Sequence, residues 1–227
     1  MIPPLPMGAD DVLALWVSLR LALVVTPLLM VVAVPLAWLL ARHSFPGRAV
    51  VEGVCMLPLI LPPTVMGFGL MVLMGPQGVV GQAWQILGGG RLVFSFGGLV
   101  LASVVCNVPF ALQPVKTAFE TLDDRLLESG AMLGLSPWRV FTTIALPAAS
   151  GGIVAGGVLV FAHTLGEFGV ALMLGGSIPG ETRVASIAIY EQVEKLQYGY
   201  ASVLAAALLP VSFAGLYALG RLRPARR

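Results

Sequence analysis

The side chains able to do chemistry in this chain are few. His163 and Glu167 stand four apart inside an apolar stretch, the spacing that places two residues on one face of a helix. An ionisable pair at that depth is a functional hypothesis by default, and it is the one pair on which an ion-coupled carrier could be built. No clear nucleophile or metal partner accompanies it, which leaves an intramembrane enzyme little to work with. Cys55 and Cys106 both sit in apolar stretches, and His43 is the other histidine. Neither a disulfide framework nor a clustered zinc or iron site can be assembled from that set. No G-x-x-x-x-G-K-[ST] occurs, and neither lysine follows a glycine, so the usual phosphate-cradling loop is missing.

Backbone chemistry is the second resource. Pro62 and Pro63 fall about ten residues into an apolar run, near mid-bilayer at roughly 1.5 Å per residue. Two consecutive prolines interrupt the hydrogen-bond ladder and can restart a half-helix. Its N–H groups from Thr64 onward, and its positive dipole end, would then face a cavity. A packing kink whose freed carbonyls are met by neighbouring helices fits the same residues. Asn107 and Gln113 could line a path; bonding to carbonyls freed by Pro109 and Pro114 is the favoured use. Gly152 and Gly156 form a G-x-x-x-G spacing, which permits close helix packing within one subunit or between two.

The elements that must hold these groups follow from composition. Of 227 residues, 58% are hydrophobic and 11% charged, with a mean hydropathy of +0.94. Soluble domains run at about 45–50% apolar and about 25% charged, so this chain is an all-α integral membrane protein. A spanning helix needs roughly 20 apolar residues. The uncharged stretches give about five spans, over 13–41, 53–74, 92–115, 148–174 and 201–220. The patch within residues 75–91 is too short and glycine-rich to cross and suits a helix at the membrane surface. Residues 1–227 read as one helical unit without repeats or linkers. The first residues lack a basic n-region, so the first span is expected to belong to the mature protein.

Orientation follows from Lys and Arg. With the amino terminus outside and the carboxyl terminus cytoplasmic, the inner segments hold Arg42, Arg48, Lys116, Arg125, Arg139, Arg221, Arg223, Arg226 and Arg227, nine of 13 basic residues. The net charge of +2 is too balanced for a nucleic-acid partner. Between the last two spans, Arg183 and Lys195 lie outside among tyrosines. That segment suits either a solvated interfacial helix or the docking of an outer protein with acidic lobes.

The inner segment 116–147 is the most informative. Thr121 followed by Asp124 has capping-box spacing and is expected to open a short helix. Gly134 is placed to end it, Ser136 and Pro137 to start another, and Pro147 to close that one. Two short helices joined at a glycine make a protrusion suited to docking, or an ordinary surface hairpin.

The residue pattern favours docking. Glu128-Ser129-Gly130, then Gly134, then Ile144-Ala145-Leu146-Pro147 resembles the EAA loop of ABC-transporter permeases, with Ser129 and Gly130 where that family usually has alanines. The resemblance implies that Glu128, Ser129, Gly130, Ala131, Leu133, Gly134, Leu135, Ser136, Arg139, Ile144, Leu146 and Pro147 form the coupling loop that seats on a cytosolic ATPase. LPLILPPTVMGFG, HTLGEFGVALMLGG and SIPGETRVASIAIYE together resemble the molybdate permeases of bacterial binding-protein-dependent importers, from about Val12 to the end. Tungstate permeases share these stretches. Sulfate/thiosulfate permeases share L-G-E-[FY]-G but are typically longer.

That resemblance implies a type I importer fold in the bacterial cytoplasmic (inner) membrane, with a homodimer enclosing the path. It also implies an ATPase dimer carrying ATP and Mg, an extracytoplasmic substrate-binding protein, and no cofactor or metal on this chain. An ATP-independent secondary anion carrier is the alternative class. A tetrahedral dianion calls for weak, replaceable donors, and no Lys or Arg lies deep in a span. Pro62, Pro63, Thr64 and Asn107 are therefore the candidate path. An ionised Glu167 would repel the anion, so Glu167 and His163 are expected to be structural. They would pair with each other or bond the backbone of a broken helix; a protonated Glu167 donating to the anion is the minor alternative.

Overall fold

The computed structural model describes residues 8–221; the amino-terminal residues 1–7 and the tail 222–227, with Arg223, Arg226 and Arg227, lie outside the described residues. The elements in chain order are α1 (Ala9–Arg42), α2 (Arg48–Ile60), α3 (Pro63–Met74), α4 (Val79–Ile86), α5 (Phe96–Glu120), α6 (Asp124–Met132), α7 (Pro137–Val140), a π-helical turn (Phe141–Ala145), α8 (Leu146–Ala148), α9 (Ser150–Leu165), α10 (Gly169–Gly175), α11 (Ala185–Glu194) and α12 (Tyr198–Gly220). The described residues are helical and polytopic, as the composition requires.

α1 begins where the Asp11 carboxylate accepts from the Gly8 N–H at 3.0 Å, and it carries Asp10 and Asp11 in its first turn and Arg42 in its last. That charge order complements the helix dipole. Ser95 caps α5 by accepting from the Gly98 N–H at 3.1 Å. α1, α5 and α9 form the centre of the bundle. Leu21, Val25 and Leu29 of α1, Leu99 and Ala111 of α5, and Val160 of α9 share one buried cluster. Trp38 near the end of α1 meets Phe119 near the end of α5, so these two helices run parallel. α9 runs against them: a Cβ at Gly152 would lie 2.3 Å from Ala118 Cβ, and one at Gly156 would lie 3.0 Å from the Ala111 carbonyl. The G-x-x-x-G spacing therefore seats α9 on α5 within the subunit.

Several spans differ from the sequence expectation. Residues 53–74 are not one helix. α2 and α3 meet at 115°, because neither Pro62 nor Pro63 has an N–H to carry the ladder across. Residues 148–174 divide into α9 and the short α10 around Gly166–Phe168. α5 starts at Phe96 rather than 92, after Phe94 takes a left-handed φ of 61° and donates its N–H to the Leu174 carbonyl. It then runs to Glu120, so Lys116 is helical. α1, α5 and α12 are each long and apolar enough to cross a membrane, and up to five crossings result if each of two bent helix pairs counts once. α4 forms the short helix expected within residues 75–91.

Pro147 does not close a helix. Helical structure passes through it, because the preceding turn widens to π form, with the Leu146 N–H bonding the Phe141 carbonyl. The wider turn accommodates a proline that would otherwise clash one turn back. The chain bends instead by 69° between α8 and α9.

Candidate functional site

Local chemistry builds the loop between α5 and α9. Asp123, not Thr121, caps α6, accepting from the Arg125 N–H at 3.0 Å. Thr121 is taken up by the end of α5, where its hydroxyl donates to the Ala118 carbonyl. At the other end Gly134 adopts φ +75°, while the Leu135 N–H reaches the Gly130 carbonyl and the Gly134 N–H the Ala131 carbonyl. This is the paired-bond helix stop for which glycine is suited. Ser136 caps α7 by accepting from the Arg139 N–H, with Pro137 first in the helix. Gly130 is buried, and a Cβ there would lie 2.5 Å from Ile144 Cδ1, so α6 rests closely on the π-helical turn. Glu128, Ser129, Ala131, Gly134, Ser136, Arg139 and Pro147 are exposed, and Leu135, Ile144 and Leu146 are half-buried. Met132, Leu133 and Trp138 stand 87%, 81% and 70% exposed, an apolar tip projecting from the bundle.

Charges cluster at the same end. Glu52 of α2 lies 2.9 Å from Arg48 and 3.0 Å from Lys116, and Glu120 lies 3.5 Å from Lys116 and 3.6 Å from Arg48. The hydrogen bond from Arg48, then that from Lys116, holds the Glu52 carboxyl below its ordinary range.

Deeper in the bundle, the two breaks face each other. α3 restarts at Pro63, with the Pro62 carbonyl accepting from the Val65 and Met66 N–H groups. A Cβ at Gly169 would lie 2.9 Å from Pro63 Cβ, and one at Gly67 would lie 2.9 Å from Met173 Cβ. Those two glycines let α3 and α10 approach. A cavity of about 520 Å³ opens beside the contact, lined by Pro58, Pro63, Thr64, Phe110, His163 and Glu167 among others.

Asn107 is fully buried and does not line this cavity. Its amide donates to the Ser103 carbonyl at 2.8 Å and its oxygen meets His163 Nδ1 at 3.1 Å. Gln113 lies 3.0 Å from Met56 Sδ, so neither amide serves a carbonyl freed by proline. His163 and Glu167 are not paired, because α9 ends at Leu165 and Glu167 leaves the helical face. His163 stacks on Phe110 at 4.1 Å. Glu167 Oε2 accepts from Ser103 at 2.7 Å, its own carbonyl accepts from Ser186 at 2.6 Å, and Oε1 is buried without a partner among the described residues. Ser103 and Ser186 escaped the sequence reading. The single clue was a serine four residues before Asn107.

At the opposite end, Arg183 is buried and bonded to Glu191 at 2.8 Å, so it is not an exposed cation as one of the two readings of that segment required; Lys195 is exposed.

A helical bundle with two interrupted helices, a polar break beside a cavity and an exposed apolar-tipped loop has the architecture of a membrane permease. The chain belongs to the family of binding-protein-dependent transport system inner membrane components, whose model matches residues 33–227. It is 45% identical to the molybdenum transport system permease protein ModB of Azotobacter vinelandii over 95% of both chains. With the Escherichia coli K12 protein of the same name it shares 40% identity over 79% of this chain and 80% of that one. A bacterial alginate ABC transporter, 19% identical, superimposes with a TM-score of 0.77 over 95% of this chain and 79% of its own, which supports the fold. The protein is a non-catalytic transporter subunit and a multi-pass inner-membrane protein.

Proposed function

We propose that this chain is the membrane subunit of an ABC importer for molybdate, working as a homodimer with a cytosolic ATPase dimer and an extracytoplasmic binding protein. The carrying observation is the 45% identity over 95% of both chains with a molybdenum permease. ATP and Mg belong to the ATPase. The chain crosses five times, amino terminus outside and carboxyl terminus inside. Supporting that orientation, Arg42, Arg48 and Lys116 gather with the loop at one end of the bundle.

In the import cycle, ATPase closure moves the loop of residues 116–147, with Glu128, Gly134 and the exposed apolar tip against the ATPase. Motion of the loop alternates the opening of the paired permeases. The path runs by Pro62, Pro63 and Thr64, where the restarted α3 offers the Thr64 N–H and a positive dipole end to a dianion, the Val65 and Met66 N–H groups being taken by the Pro62 carbonyl. Such donors hold weakly enough to release it. Asn107, bonded to His163, supports that wall rather than touching the ion. Ser103 anchors Glu167 in the break facing α3.

Uptake of labelled molybdate into proteoliposomes holding permease, ATPase and binding protein tests this. ATP-dependent uptake blocked by tungstate and not by sulfate is the expected result. Block by sulfate would replace the substrate while keeping the coupling. Uptake indifferent to internal ATP would make the protein a secondary carrier.

A further inference from the structure

We infer that Arg42 is a positioning residue of the import cycle, clasping the start of α6 to the end of α1 so that α1 moves with the loop. The inference rests on reading residues 116–147 as the ATPase-coupling segment. One terminal nitrogen of Arg42 donates to the Asp124 carboxylate, and the other donates to the Leu122 carbonyl at 2.6 Å. Leu122 and Asp124 bracket Asp123, the N-cap of α6, so the guanidinium grips the helix at its origin. A planar fork held at two points fixes direction as well as distance. The Arg42 side chain is largely covered while that of Asp124 is exposed, so the cation is the fixed member of the pair.

One turn earlier on α1, Trp38 packs on Phe119 at 5.2 Å and on Phe141 at 5.3 Å. The final turns of α1 therefore hold both halves of the loop, α6 through the clasp and the π-helical turn through the aromatic contact. Arg42 stands 24 residues beyond Ser18, about 36 Å along a helix. There the Ser18 hydroxyl accepts from the Ala185 N–H at 2.8 Å, at the start of α11. A displacement of α6 is thereby delivered to the far end of the bundle as a shift of α1. An ordinary surface ion pair would contribute little to stability and nothing to coupling.

The test is the number of molybdate ions taken up per ATP hydrolysed by the reconstituted importer. In Arg42→Ala the ATPase still co-purifies and the ratio falls at least about five-fold, the lower bound of an ordinary coupling energy. Asp124→Ala lowers it less, since the bond to Leu122 survives, and the double variant matches Arg42→Ala. Glu52→Gln breaks ion pairs at the same end of the bundle, outside the clasp, and keeps the wild-type ratio. Wild-type ratios in Arg42→Ala and Asp124→Ala, losses that multiply in the double variant, or an equal loss in Glu52→Gln would each overturn the inference. Should Arg42→Ala fail to accumulate, Asp124→Ala, altered at an exposed side chain, decides alone. Gly134→Leu separates the underlying reading. If that variant keeps its ATPase, the docking reading fails and the clasp falls with it. If it loses its ATPase while Arg42→Ala couples normally, only the clasp is wrong.

Discussion

At the scale of single residues, Gly134 and Glu167 are the two whose surroundings make sharp predictions. Gly134 holds φ +75°, and a Cβ there would meet nothing within 4 Å. Any L residue suffers about 1–2 kcal/mol of left-handed strain, but a larger side chain adds no clash inside this chain. Gly134→Ala should therefore weaken the loop modestly and keep the ATPase bound. Gly134→Leu should lose it, because its bulk can collide only with a partner. Equal co-purification of the ATPase by both variants would move the docking surface elsewhere. Glu167 is held by Ser103, 64 residues away. Gln at 167 can still accept that bond, whereas Ala leaves the Ser103 hydroxyl unpaired at a cost of about 1–3 kcal/mol. Thermal unfolding in detergent should accordingly rank wild type and Glu167→Gln together above Glu167→Ala. A stable Glu167→Gln that transports nothing would instead assign the carboxylate to the path. Gly134 was legible in the sequence because a helix stop is a local event. The Ser103 partner was not, since no local signal marks a bond across two helices.

The same contrast governs elements. The stop of α6 at Gly134 and the start of α7 at Ser136 and Pro137 lay in the sequence; the first cap did not, since the lengthened α5 claims Thr121 and Asp123 takes over, and neither did the passage of helix through Pro147. The break at Pro62–Pro63 was legible as a break. Its 115° angle was not, because it depends on the contact of α3 with α10 through Gly67 and Gly169. Replacing Pro62 and Pro63 together by Ala restores two N–H groups and favours one continuous helix. That helix would pull the start of α3 from α10 and close the opening between them. Uptake should fall at least about ten-fold, roughly 1.4 kcal/mol on the barrier, with ATPase binding intact; unchanged uptake would remove α3 from the path. The charge ring between α2 and α5 behaves differently with pH. Glu52 has a lowered pKa in the folded protein, so its contribution is present above the unfolded value and disappears as pH falls through the folded one. Glu52→Gln should thus unfold earlier than wild type near neutrality, with the difference vanishing in acid.

For the whole molecule, the decisive feature is how unevenly the bundle is covered. α2 has no buried residue, and α12 buries only Ala201 and Leu204. Phe68 of α3 and Phe213 of α12 are both exposed in a single chain, yet their surroundings differ in kind. Around Phe213 the helix is regular and apolar, which lipid can cover. Phe68 is on the helix restarted at a backbone break beside the cavity, and lipid cannot satisfy the Thr64 N–H, which has no partner there among the described residues. In the proposed homodimer, a second copy of the chain would be the cover that hydrocarbon cannot supply, and it would make one route from two open cavities. With Cys55 and Cys106 replaced, Phe68→Cys should form a disulfide-linked dimer in membranes, and Phe213→Cys should stay monomeric on denaturing gels. The reverse outcome would place the subunit interface at α12 and leave the break facing lipid, so the path would have to be found inside one chain.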